Sequence, residues 1–118
     1  MEYLLTIYSD ETQFEKLSKA QTTEAIAAYG AYTGALEKAG ILRGSNRLRP
    51  VNTATTVRVK SGKTEVLNGP YAETREQLGG YYLIDVPDLD TALSWASRCP
   101  GASHGTVEVR PIWPRGEF

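Results

Sequence analysis

His104 is the chain's single histidine, set in GASHGTV just ahead of a strand-like run. An imidazole titrates near neutrality, so a histidine in such a loop is a candidate acid or base. A second candidate base, Glu73, lies in NGPYAETREQLGG, Asn68 to Gly80, where Arg75 and Glu76 sit close behind it. Asn68-Gly69-Pro70 imposes a tight turn at the head of this stretch. Gly79-Gly80 at its foot lets the backbone approach a neighbour closely or take a positive φ. Thr74 and Gln77 are spaced to cap one helical turn between them. In that frame Asn68, Tyr71, Arg75 and Glu76 are candidate ligand contacts. The plainer reading is a solvated charged turn. Arg110 alternates with Val109 on the last strand-like run and shares a face with Glu108. It is placed either to pair with a carboxylate of the chain or to hold that of a ligand. The glycines do not make a phosphate loop, because the following lysine and hydroxyl are missing. One histidine and one cysteine, Cys99, give no metal cluster, and no cofactor is expected. Cys99 stands at a helix end, where a thiolate is disfavoured, and reads as core filler.

The elements that must position these residues follow from periodicity. Tyr3 to Tyr8 is rich in aromatic and branched residues and stops at SDE, as a strand does at a polar turn. Ser18 and Gln21 form a capping box for a helix running to about Ala39, with Gly40 as its stop. Along that helix Ala25, Tyr29, Tyr32 and Leu36 recur at spacings of three and four, an apolar stripe. Tyr29 and Tyr32 are thereby candidates to line a space between helix and sheet. Gly30 and Gly34 weaken the helix, and close packing on the sheet is the simplest reason for them. A second strand is expected within Ile41 to Arg49 and a hairpin over TATTVRVKSGKTEVLNGP, turning at SGK with one wet face. GGYYLIDV is the strongest strand. Asp88 caps a second helix with Leu89, Ala92, Leu93 and Ala96 as its buried stripe, ended by Pro100. GTVEVRPIW closes the chain's pattern as a strand.

Strand, helix, strand, inserted hairpin, strand, helix, strand is the order of an α+β ferredoxin-like split β-α-β sandwich, and residues 1–118 are expected to form one domain. In that topology Tyr3 to Tyr8 and Tyr81 to Val86 are central, and both are apolar on two faces. Tyr3, Leu5 and Ile7 oppose Leu4 and Tyr8; Tyr82, Ile84 and Val86 oppose Tyr81 and Leu83. Helices on one side cover one set only. A homodimer packed sheet against sheet is the economical cover for the other, with the hairpin or the C-terminal tail as competitors. A net charge of −1 argues against direct nucleic-acid binding, and no run approaches the ~20 apolar residues of a membrane span. A short apolar start without basic residues reads as a strand and not a signal peptide, and the lone cysteine suits a cytoplasmic setting.

The stretch from Asn68 to Pro100 together with GTVEVRPI resembles the YCII-related proteins of the DGPF branch. Their pattern of Asp-Gly-Pro-Phe, Glu, Lys-Glu, Leu-Gly-Gly and a later Glu-Val-Arg-Pro is met at Gly69, Pro70, Glu73, Glu76, Leu78, Gly79, Gly80, Glu108, Val109, Arg110 and Pro111. Asn68, Tyr71 and Arg75 depart from it, and only Asn68 changes the chemistry, since an amide cannot take a proton as the pattern's aspartate can. The resemblance implies a dimeric α+β barrel and small-molecule chemistry on ring compounds, or alternatively a regulatory module associated with an extracytoplasmic-function sigma factor. The histidine and aspartate pair implied for the YciI-like branch has no counterpart, because the first helix carries no histidine. A small-molecule site would then work by cofactor-free proton transfer, with Glu73 or His104 as base and Arg110 on an anionic group.

Overall fold

The computed structural model describes residues 1–117. In chain order the elements are β1 (Glu2–Ser9), α1 (Glu11–Glu15), α2 (Lys19–Lys38), β2 (Leu42–Arg47), a 3-10 turn (Val51–Thr53), β3 (Thr55–Lys60), β4 (Lys63–Asn68), β5 (Gln77–Asp85), α3 (Leu89–Arg98), α4 (Gly101–His104) and β6 (Thr106–Pro111). Strands β2, β5, β1 and β6 form one antiparallel sheet in that order, and β3 pairs only with β4. With the hairpin set aside, the order places the first and third core strands centrally, as the ferredoxin-like α+β fold requires.

Local chemistry explains the boundaries. β1 ends where Asp10 turns to cap α1, its Oδ1 accepting from the Thr12 amide at 2.9 Å. Ser18 and Gln21 make both bonds of the expected capping box, and Gly40 takes φ 72 beyond the C-terminus of α2. Asp88 caps α3 through the Thr91 amide at 2.8 Å. GASH, expected as loop, is the four-residue helix α4. The Gly79-Gly80 pair serves sheet geometry. Ile7 pairs with Gly80 and Tyr8 with Leu78, so Gly79 is the extra residue of a bulge. A Cβ on Gly80 would stand 2.7 Å from the Asn46 carbonyl oxygen. Neither glycine has positive φ; in the Asn68 to Gly80 stretch that belongs to Gly69, at 114°. The expected helical turn at Thr74 and Gln77 does not form, because Gln77 already opens β5 and its side chain bonds back to the Thr74 carbonyl at 2.6 Å.

The core lies between the sheet and helices α2 and α3. Tyr3, Leu5, Ile7, Tyr82, Ile84 and Val86 face Tyr32, Leu36, Ala92, Ala96 and Cys99. Two expectations about helix faces are corrected. Leu89 and Leu93 are about half exposed, and half-buried Trp95 packs on the core beside Ala92 and Ala96, whose small side chains let α3 sit close. Gly30 and Gly34 are exposed on α2 with nothing within 4 Å of a Cβ, so sheet packing does not account for them.

Candidate functional site

The space between helices and sheet, expected to hold a ligand beside Tyr29 and Tyr32, is filled. Leu5, Leu36, Ile84 and Cys99 are wholly buried there. Tyr32 is a core residue: its hydroxyl donates to the Trp95 carbonyl at 2.7 Å, and its ring meets Tyr82 edge-on with centroids 5.2 Å apart. Burial pushes the Tyr29 phenol up to about 12 and raises those of Tyr32 and Tyr82. These phenols stay protonated at neutral pH and are not bases. Burial likewise raises the Cys99 thiol, which makes it an inert core group. A shallow cleft of about 280 Å³ runs between α3 and β6, lined by Leu93, Ala102, Val107 and Val109, and another of about 390 Å³ lies against Met1, Glu2, Asp85, Ile112 and Pro114; neither holds any of the candidate residues.

The polar chemistry lies instead at one end of the sheet and across its outer face. At the end where β1 finishes and β5 and β6 begin, the Thr106 hydroxyl donates to Glu76 Oε1 at 2.8 Å. The Glu11 amide donates to Gln77 Oε1 at 3.0 Å, and Glu11 Oε1 accepts from the Val51 amide at 3.0 Å. These bonds tie the Asn68 to Gly80 stretch to α1, to the base of the hairpin and to β6. His104, exposed at the end of α4, is two residues from Thr106 and makes no side-chain hydrogen bond among the described residues. Glu73 is exposed and likewise has no such bond. Arg75 stands near enough to Asp10 to help hold that carboxyl below its usual range, behind the larger effect of the Thr12 bonds.

On the outer face, away from the helices, β1 and β5 present Leu4, Thr6, Tyr8, Tyr81 and Leu83, all half-buried. Asn46 Nδ2 donates to the Tyr81 hydroxyl at 2.8 Å. Register places Glu108 beside Thr6 and Arg110 beside Leu4 on the same face. Arg110 reaches back to Glu108 Oε1 at 2.8 Å, so it pairs with a carboxylate two residues before it on the same strand. With side chains 73% and 46% exposed, this pair contributes little to stability and is free to exchange partners.

Among the proposed residues, then, the end of the sheet gathers Glu76 and, through Thr106, the short helix α4 that ends in His104. Arg110 lies apart, about 13 Å down β6 from Thr106 at the usual rise per residue. Tyr71 is exposed beside the hairpin, with the Arg58 guanidinium 5.8 Å over its ring, and Asn68 is the last residue of β4. Thr106, Tyr81 and Asn46 were not singled out as site residues from sequence. Strand parity already put Tyr81 outward with Leu83, but the partners of its hydroxyl depend on inter-strand register.

The model of the YCII-related domain matches residues 1–115. An uncharacterised protein of Rhizobium meliloti (strain 1021) is 40% identical over 114 residues, covering 95% of this chain and 92% of that protein. No helix among the described residues is long and apolar enough to cross a membrane. Matched along nearly its whole length and carrying the fold just described, the chain belongs to the YCII-related domain family.

Proposed function

We propose that the chain is a DGPF-type homodimer, acting in the cytoplasm, that binds a small anionic or aromatic molecule between two outer sheet faces. The observation that supports this is the outer face itself. Leu4 and Leu83 form its apolar middle, Tyr8 and Tyr81 add aromatic surface, and Arg110 adds a cation that, among the described residues, is held by one exposed neighbour. Neither competing cover is in use: the hairpin valines and Trp113 of the tail are themselves more than half exposed. Stacking two such faces brings together apolar walls and a few polar groups, the usual make-up of a small-molecule site.

In this reading Arg110 exchanges Glu108 for the carboxylate of a ligand, and Tyr8 and Tyr81 lie against its ring. Glu73, Glu76 and His104 belong to the rim at the polar end, where a carboxylate or imidazole would take or return a proton without a cofactor. Asn68, in place of the pattern's aspartate, leaves that role to Glu73 or Glu76. The test is ligand-detected NMR with aromatic acids and lactones on the wild type, Arg110→Ala and Glu73→Gln. Binding of acids by the wild type and at least tenfold loss in Arg110→Ala is the expected result. No binding by the wild type, or binding untouched by both substitutions, removes the reading.

A further inference from the structure

The β3–β4 hairpin has two unlike faces. Register puts Val57 opposite Val66 and Val59 opposite Thr64 on one side, with Arg58 opposite Glu65 and Lys60 opposite Lys63 on the other. Tyr71 lies against Arg58, so the charged side has a neighbour. Val57, Val59 and Val66 are 59%, 69% and 60% exposed, and the two strands make no extensive contact with any other element among the described residues. An isolated two-stranded ribbon is marginal in water, and an apolar side left wet adds nothing to it.

Three observations say what covers that side. The first is shape: the radius of gyration is 16.4 Å, against about 13.5 Å expected for a compact domain of this length. The extents of 47 × 47 × 19 Å leave room for one helix layer and one sheet, so the hairpin projects within the sheet plane and does not fold back over its own chain. The second is charge. Arg58, Lys60 and Lys63 against Glu65 make the hairpin +2, which leaves −3 for the rest of a chain whose net charge is −1. The third is area. Four strands about 4.8 Å apart, of 6, 9, 8 and 6 residues, offer a footprint of roughly 460 Å², short of the ~800 Å² per partner of a standard interface. Exchanged ribbons some 20 Å long and two strands wide add roughly 190 Å² twice over to each copy, once as its own arm and once as the seat of its partner's.

We infer that the hairpin is an arm whose valine face is buried by a second copy of this chain, its net positive charge drawing it over the partner's net negative body while Arg58, Lys60 and Lys63 stay on its outer side. The inference rests on the sheet-face dimer proposed above and adds to it an exchange of arms. Sedimentation of the wild type, of Val57→Thr/Val59→Thr/Val66→Thr and of Leu83→Glu separates the two ideas, since threonine keeps the β-branched shape of the ribbon. A nitroxide on Thr64→Cys in a Cys99→Ser background, mixed with isotope-labelled wild type, reports the contact directly. Expected are a dimer whose dissociation constant rises at least tenfold in the threonine variant, and broadened amides in the labelled copy. A wild-type monomer overturns both the arm and the dimer. A dimer broken by Leu83→Glu but unchanged by the threonine variant, or one without broadening between copies, overturns the arm alone.

Discussion

Tyr29, Tyr32 and Tyr82 share the space between α2 and the sheet, and that placement sets a pH dependence. Each phenol titrates above its ordinary value because burial disfavours the phenolate, and Tyr32 would also lose the bond it donates to Trp95. A pKa raised on folding means that the folded chain holds its proton longer than the unfolded one. The stabilisation is therefore complete below the unfolded value of about 10 and is lost as pH rises through the folded value. Urea midpoints are expected to be flat near neutral pH, to begin to fall at about pH 9 as the unfolded Cys99 thiol ionises, and to fall steeply above about pH 10, with a shallower fall in Tyr29→Phe. An unchanged slope in that variant would mean that Tyr29 is not the titrating group. Gly80 sets a second constraint at this scale. Its missing Cβ lets β2 approach, so Gly80→Ala is expected to cost about 1–3 kcal/mol in urea unfolding. The motif around Gly79-Gly80 was legible as unusual, yet its cause is a bulge and a strand contact, which only inter-strand register reveals.

Elements whose signals are local were legible in the sequence. Ser18 with Gln21, Gly40, and Asp88 each mark a helix end through bonds to residues within a turn, and each is found there. Ser18→Ala is expected to lower stability by about 1 kcal/mol by thermal or urea unfolding, since it frees the Gln21 amide. Where the outcome depends on packing, the pattern misled. Periodicity marked Leu89 and Leu93 as buried, but alanines at 92 and 96 set the closest line of approach and leave those leucines at the edge. Gly30 and Gly34 promised helix-to-sheet contact and stand in open solvent. Gly30→Ala is consequently expected to stabilise the chain by up to about 1 kcal/mol, an increase in midpoint where a packing glycine would give a loss. The candidate site was legible only as residue types. Glu73, Glu76, His104 and Arg110 were all named from sequence, but their separation between the end of the sheet and its outer face follows from the register of β6 on β1.

At the scale of the whole molecule, alternation in β1 and β5 already announced a sheet with two apolar faces, and the structure covers one of them. The layer that would cover Leu4, Tyr81 and Leu83 is missing from a chain only 19 Å thick. Sequence alone favoured a second copy for that layer and left the hairpin and the tail as competitors, because where an insertion projects is set by its anchors. Here the Gly69 amide on the Ala54 carbonyl at 2.7 Å closes the base of the hairpin, while the Leu48 amide on the Gly79 carbonyl at 2.8 Å and the Val51 amide on Glu11 Oε1 at 3.0 Å fix the chain that leads into it. If a second copy supplies the layer, folding and association are linked, and the melting temperature must depend on protein concentration. The wild type is expected to melt several degrees higher across a hundredfold rise in concentration. Leu83→Glu sets like charges into the middle of the interface and removes that dependence, while its own core, built on Leu5, Ile84 and Leu36, is untouched. Scanning calorimetry at several concentrations checks both. A concentration-independent wild type would mean that the outer face meets water, and that Arg110 works on an open surface.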